Sequence, residues 1–172
     1  MKRYLIFTDL DGTLLDHKNY SYGNNKKFIS SVINNHNEVI FNTSKTFSES
    51  SDLLHELNLN NMPFSTENGA LLYFPKNRFK KIKNSFDYGR YWKIRIAKLS
   101  TMNWHKFLLK KQKKFKFSIA QDLDSKILKK YTNLNNTVKM LKREASQIIL
   151  WQDSLINLKK FKYEVKHKKQ GI

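Results

Sequence analysis

Asp9-Leu10-Asp11-Gly12-Thr13 sets two carboxylates two residues apart, directly behind the apolar run Tyr4-Leu5-Ile6-Phe7. On a chain that bends at Gly12, both side chains can face one pocket. One carboxylate can then attack phosphorus while the other handles protons. Two close carboxylates repel each other, and a phosphoryl substrate brings further negative charge. A divalent cation, Mg²⁺ by this chemistry, is therefore expected at Asp9 and Asp11. The competing reading is a solvated Asp-rich turn. The apolar strand in front and Gly-Thr behind favour the site, because open α/β sheets bind ligands at the carboxyl ends of their strands.

A second group of polar residues, Asn42-Thr43-Ser44-Lys45-Thr46, follows the apolar run Val39-Ile40-Phe41. Ser and Thr cap helices, so alone this string reads as an ordinary N-cap cluster. Beside the first motif it reads as a phosphate clamp, with hydroxyls and a cation at the tip of the neighbouring strand and a helix N-terminus behind them. Other candidates are weaker. His17, His36, His55, His105 and His167 show no metal-ligand spacing, and no phosphate-loop string G-x-x-x-x-G-K-S/T occurs. Trp92, Trp104 and Trp151 fit a core as well as a stacking platform.

The elements that must position these residues alternate. Arg3–Thr8 reads as a strand buried on both faces. Ser21 or Asn24 caps a helix with Phe28, Ile29, Val32 and Ile33 inward. Val39–Phe41 is a second strand, and a second helix buries Phe47, Leu53, Leu54 and Leu57. Met62-Pro63-Phe64 opens a third strand, and Glu67-Asn68-Gly69 turns the chain into Ala70–Phe74. This order implies an open parallel sheet with helices on both faces, hence an α/β fold. Beyond Pro75 the character changes. Lys76–Lys83 is a basic connector, Met102–Lys110 a helix, and Phe115–Ile119 an alternating strand. Leu123–Tyr131 and Thr137–Lys142 are short helices and Gln147–Trp151 is a strand. Asp153 or Ser154 caps a last helix with Leu155, Leu158, Phe161 and Val165 on one stripe. These readings divide the chain into a core at 1–82 and an α/β lobe at 83–172.

The 172 residues are 40% hydrophobic and 13% aromatic, enough for a folded core without staples. Cysteine is absent, which excludes disulfides, thiol nucleophiles and thiolate zinc sites. No signal segment or membrane-length apolar run is visible, so a cytoplasmic location and no membrane partner are expected. The net charge of +19 invites a nucleic-acid reading. Against it, Arg3, Arg78, Arg90, Arg95 and Arg143 are the only arginines, and arginine carries most phosphate and base recognition. Lysine is instead spread along the chain with Asn, Ile and Phe, the residues of A/T-rich codons. No nucleic-acid partner is expected; attraction for small anionic substrates is. Protein partners and oligomeric state are not readable.

Taken together, DLDGTLLDHKNYS (Asp9–Ser21), NTSKT (Asn42–Thr46), PFSTENGA (Pro63–Ala70) and TNLNNTVKMLKREAS with LWQDS (Thr132–Ser154) resemble the haloacid dehalogenase superfamily, and within it the mannosyl-3-phosphoglycerate phosphatases. The resemblance implies a Rossmann-like parallel sheet with an inserted α/β cap lobe, and a Mg²⁺-dependent phosphatase acting on a phosphorylated sugar. It gives Asp9 the roles of nucleophile and metal ligand, and Asp11 those of general acid and base and metal ligand through its backbone. Thr43, Ser44 and Lys45 would bind the phosphoryl group. Glu67, Asn68 and Gly69 would border the pocket, and Arg143 would hold the glycerate carboxylate. Two departures stand out. The superfamily's later lysine and its acidic Gly-Asp-x-x-Asn-Asp segment do not occur, so the core is expected to be incomplete. Gln147 stands where the family tends to have an acidic residue. An inactive, shortened member of the family is the alternative reading, and a basic nucleic-acid binder a further one.

Overall fold

The computed structural model describes residues 3–16, 21–34, 36–132 and 137–170. They form two compact units, Met1–Ile96 and Ala97–Ile172. The boundary lies past residue 82 because a hairpin beyond the basic connector joins the first sheet.

In the first unit, β1 (Leu5–Thr8), β2 (Glu38–Asn42) and β3 (Phe64–Thr66) pair in parallel. They are linked by α1 (Asn25–Asn34) and α2 (Phe47–Glu56). The parallel ladder ends there. The turn at Glu67-Asn68-Gly69 reverses the chain into β4 (Leu71–Pro75), and the hairpin β5 (Phe86–Tyr88) and β6 (Tyr91–Arg95) continues antiparallel. The strand order is β1-β2-β3-β4-β6-β5, so β1 is an edge.

Both crossovers step the same way along the sheet, and right-handed crossovers then put both helices on the same face. The register shows which face. Ile6 opposes Val39, Thr8 opposes Phe41, Phe41 opposes Phe64 and Phe64 opposes Tyr73. Val39, Phe41, Phe64, Tyr73 and Leu71 are buried there, with Leu54 and Leu57 of the α2 region and Ile29 of α1. The Phe47 ring of α2 lies 4.7 Å from Tyr73 and 5.9 Å from Phe64. This face is the core of the unit.

The opposite face carries Leu5, Phe7, Ile40, Leu72, Phe74, Trp92 and Ile94. Its far end is covered by the connector between β4 and β5. The Phe79 ring sits 5.3 Å from Phe74, the Phe79 carbonyl accepts from Trp92 Nε1 at 3.0 Å, and Arg78 pairs with Glu38 at 2.5 Å. At the β1 end none of the described residues covers it, and Leu5 and Phe7 are 59% and 66% exposed. The expectation of a first strand buried on both faces is thus corrected. Its apolar run is real, but only one side of it is packed among the described residues. Phe28, expected inward on α1, is also exposed, while Ile29 is buried.

The second unit holds α3 (Thr101–Lys111), β7 (Phe117–Ile119), a 3₁₀ turn at Ala120–Asp122, α4 (Ser125–Thr132), α5 (Thr137–Leu141), β8 (Ile149–Trp151) and α6 (Leu155–Gln170). β7 and β8 pair antiparallel. Leu108, Phe115, Phe117, Ile119 and Phe161 form one apolar cluster, and Ala120, Leu128 and Met140 a second. Ser154 caps α6: its Oγ accepts from the Asn157 N–H at 3.2 Å and its carbonyl from the Leu158 N–H at 3.0 Å. Leu155, expected on the inner stripe, is exposed, because it occupies the first turn beyond the packed part of the helix.

Candidate active site

The carboxyl ends of the three parallel strands each lead into a loop, and the three loops are tied together. After β1 the Leu10 carbonyl accepts the N–H groups of Leu14 at 3.1 Å and Leu15 at 2.8 Å, and the Gly12 N–H returns to the Leu15 carbonyl at 2.8 Å. Gly12 has φ +75°, a left-handed conformation that glycine adopts without a Cβ penalty. Leu10, Leu14 and Leu15 are buried and anchor the turn. Between them Gly12 and Thr13 are exposed and Asp11 is half-buried. Asp9 is exposed, and its Oδ1 accepts the Leu10 N–H at 2.7 Å.

After β2, Thr43 is buried, Ser44 is exposed, and the Lys45 N–H donates to Thr43 Oγ1 at 3.1 Å. Thr46 closes a reciprocal cap with Glu49: its backbone N–H donates to Glu49 Oε2 at 2.9 Å and its Oγ1 accepts the Glu49 N–H at 3.3 Å. This fixes the start of α2 and with it the direction of Lys45. After β3, Glu67, Asn68 and Gly69 have φ of +52°, +60° and +82°. Left-handed geometry costs energy in Glu67 and Asn68, and partners hold it in place. The Glu67 N–H donates to the Lys45 carbonyl at 3.0 Å and the Asn68 N–H to the Thr43 carbonyl at 2.9 Å.

The first and second loops meet through an ion pair, Lys45 Nζ to Asp11 Oδ1 at 2.8 Å. That oxygen is buried, and the lysine side chain is only 14% exposed, so water screens the pair weakly. Asp11, Thr43, Lys45, Glu67 and Asn68 are therefore brought into one group of loops beside Asp9. Lys45, expected as a phosphate ligand, also lies on a catalytic-type carboxylate. Sequence reasoning missed two supports. Thr46–Glu49 is the capping signature S/T-x-x-E and was legible as such. Thr66 Oγ1, buried at the base of the third loop with no hydrogen-bond partner among the described residues, carries no signal in a single sequence.

Asp9 and Asp11 suit a magnesium ion in kind. Mg²⁺ takes one or two carboxylates and fills its remaining positions with water and substrate phosphate oxygens. Among the described residues no group of three or more His, Asp or Glu could hold a metal. Asp9 and the Asp11 backbone carbonyl would hold the ion together with substrate oxygens, since Asp11 Oδ1 faces Lys45.

Arg143 lies in the second unit, on the segment between α5 and β8. Its carbonyl accepts from Thr101 Oγ1 at 2.9 Å, the Glu144 carbonyl accepts the Thr101 N–H at 3.0 Å, and Arg143 Nη1 donates to Ser146 Oγ at 3.0 Å. The segment is thus pinned to the N-terminus of α3. Gln147 Nε2 donates to Gln121 Oε1 at 2.6 Å, a neutral pair where the resemblance leads one to expect an acid.

Residues 6–171 match the family model of haloacid dehalogenase-like hydrolases. The chain belongs to this family. A relative from Methanococcoides burtonii, named as a glucosyl-3-phosphoglycerate/mannosyl-3-phosphoglycerate phosphatase, is 33% identical over 135 residues. The match takes in 77% of this chain and 49% of that relative, so the chain spans about half the relative's length. A solved haloacid dehalogenase-like hydrolase from B. subtilis is similar at 20% identity and a TM-score of 0.46, over 69% of this chain and 36% of that one. No described helix is long and apolar enough to cross a membrane.

Proposed function

We propose that the first unit is the phosphoryl-transfer site of a phosphatase acting on a sugar phosphate of the glucosyl- or mannosyl-3-phosphoglycerate class. The observation that carries the reading is the ion pair of Lys45 with Asp11 at 2.8 Å, which ties the loop after β2 to the loop that carries Asp9 and Asp11. The Asp9 carboxylate, exposed at the rim, attacks phosphorus and forms an aspartyl-phosphate as the bond to the sugar oxygen breaks. Asp11 delivers a proton to that leaving oxygen. It then takes one from the water that hydrolyses the acyl phosphate and frees Asp9. Lys45 steers Asp11, and its charge lies beside the Thr43 and Ser44 hydroxyls, where transferring phosphoryl oxygens would be held. Mg²⁺, held by Asp9 and the Asp11 backbone, would neutralise phosphoryl charge when bound. Glu67, Asn68 and Gly69 border the pocket. Arg143, in the second unit, carries a planar fork of the kind that suits a carboxylate.

The test is phosphate release by the folded 172-residue chain from both phosphoglycerates, with magnesium and with a chelator. Release in magnesium that disappears in Asp9→Asn, at unchanged thermal unfolding, supports the reading. A folded chain that releases nothing from either substrate overturns it. One observation favours a second reading, an anion-binding protein without turnover: no third acidic ligand joins Asp9 and Asp11 among the described residues. That reading predicts phosphate binding without hydrolysis.

A further inference from the structure

Where α2 meets the β5–β6 hairpin, the first unit has a cleft of about 410 Å³, a size that takes a small organic ligand. None of Asp9, Asp11, Thr43, Ser44 and Lys45 lines it. One wall is α2, where Phe47, Ser51 and His55 recur every fourth residue and so share one stripe. The other is the hairpin turn Tyr88-Gly89-Arg90-Tyr91. Aromatic rings join the two walls: Phe47 meets Tyr88 at 4.9 Å and Tyr91 at 5.9 Å, both edge-on. Tyr91 is buried, and burial pushes its hydroxyl above the ordinary value of 10.0 against the opposing charge of Arg90. It therefore stays a neutral donor and gives its hydrogen bond to the Asn60 carbonyl at 3.3 Å. The Asn60 amide nitrogen lies 3.3 Å from His55 Nδ1 and can only donate there, which puts the proton of the neutral ring on Nε2.

The cleft thus has an aromatic lining and charges of both signs. Asp52 comes from α2 and Arg90 from the hairpin turn, and both are exposed. A ligand with one charge would meet a like charge on one wall. A ligand with both charges meets an opposite charge on each. We propose that this cleft binds a small zwitterion with an apolar side group, in the class of free aromatic α-amino acids. Arg90 presents its planar fork to the carboxylate, and the His55 Nε2–H adds a second donor. Asp52 takes the ammonium. The side group lies against the Phe47 and Tyr88 rings, where aromatic packing adds to the burial of apolar area. The inference concerns binding and stands whether or not the phosphatase reading holds.

The probe is L-phenylalanine, titrated into the intact 172-residue chain by calorimetry, with saturation of one site expected. Phenylalaninamide lacks the carboxylate and 3-phenylpropionate lacks the ammonium; each should bind about tenfold more weakly or worse. Arg90→Gln should remove the preference for phenylalanine over its amide, and Asp52→Asn the preference over 3-phenylpropionate. Asp122→Asn, which changes an exposed carboxylate of the second unit, should leave both preferences intact. Asp9→Asn should bind phenylalanine as the unmutated chain does, which separates this cleft from the phosphoryl-transfer site. Should a cleft variant unfold, the two analogues on the unmutated chain decide alone. No saturable binding, analogues that bind as well as phenylalanine, or preferences untouched by the Arg90 and Asp52 substitutions would each overturn the proposal.

Discussion

Lys45 is the residue on which the account of the site turns. Its ammonium sits 2.8 Å from Asp11 Oδ1 in a weakly hydrated spot, and its carbonyl holds the Glu67 N–H at 3.0 Å. The backbone contact survives any side-chain change, so Lys45→Met removes the charge and leaves the loop in place. A charge-assisted hydrogen bond contributes about 1.5–3 kcal/mol, so the variant should bind inorganic phosphate roughly ten- to a hundredfold more weakly. Titration calorimetry reads this without requiring turnover. Unchanged phosphate affinity would remove Lys45 from the anion site and leave it as a positioning residue for Asp11. Asp9 and Asp11 were legible from residue type and spacing, because a strand followed by a glycine turn dictates where they point. The Lys45–Asp11 contact was not, since a sequence shows that both residues are near a strand tip but not that they touch. The burial of Glu67 was equally hidden: a turn glutamate reads as exposed until its N–H is seen tied to Lys45.

At the scale of elements, the start of α2 is the part of the site most open to measurement. Thr46 is fully buried and shares two hydrogen bonds with the Glu49 carboxylate besides accepting its N–H. Thr46→Ala should lower stability by about 1 kcal/mol through loss of the cap, seen as a lower urea midpoint at unchanged slope. In the second unit α6 is tied to α3 by charge. Glu164 accepts hydrogen bonds from Lys111 and from Lys114, and these hold its carboxyl below the ordinary value of 4.5. A depressed carboxylate stabilises the fold at pH above its unfolded value, and this contribution is lost as pH falls through the depressed value. The melting temperature should therefore drop on acidification below about pH 4.5, the unperturbed value, and Glu164→Gln should flatten that drop. Asp153, held low by the Lys116 N–H, the Asn157 amide and the Ser154 N–H, acts in the same direction. An identical acid profile in Glu164→Gln would show that the bridge does not act on stability. The helices and strands of this unit were readable because periodicity reports them. The outward position of Leu155 was not, because an apolar residue in a first helical turn satisfies the pattern whether or not anything packs on it.

For the whole molecule, the alternation of strand and helix up to Phe64 foretold a parallel sheet, and its first three strands are one. Periodicity could not show that β4, β6 and β5 run antiparallel, since direction depends on the tight turn at Glu67-Asn68-Gly69 and on which edge the hairpin joins. Nor could it show that Leu5 and Phe7 are bare, because an apolar strand reads alike whether its second face is covered by its own chain or by another. The high positive charge is compatible with anionic substrates. The proposed chemistry rests on Asp9 being the nucleophile at the end of β1. The most direct measurement is mass spectrometry of the acid-quenched chain during turnover of mannosyl-3-phosphoglycerate in magnesium. One phosphoryl group is expected on the peptide carrying Asp9, absent in Asp9→Asn. Phosphate released by the folded chain with no phosphoryl group on that peptide would contradict it.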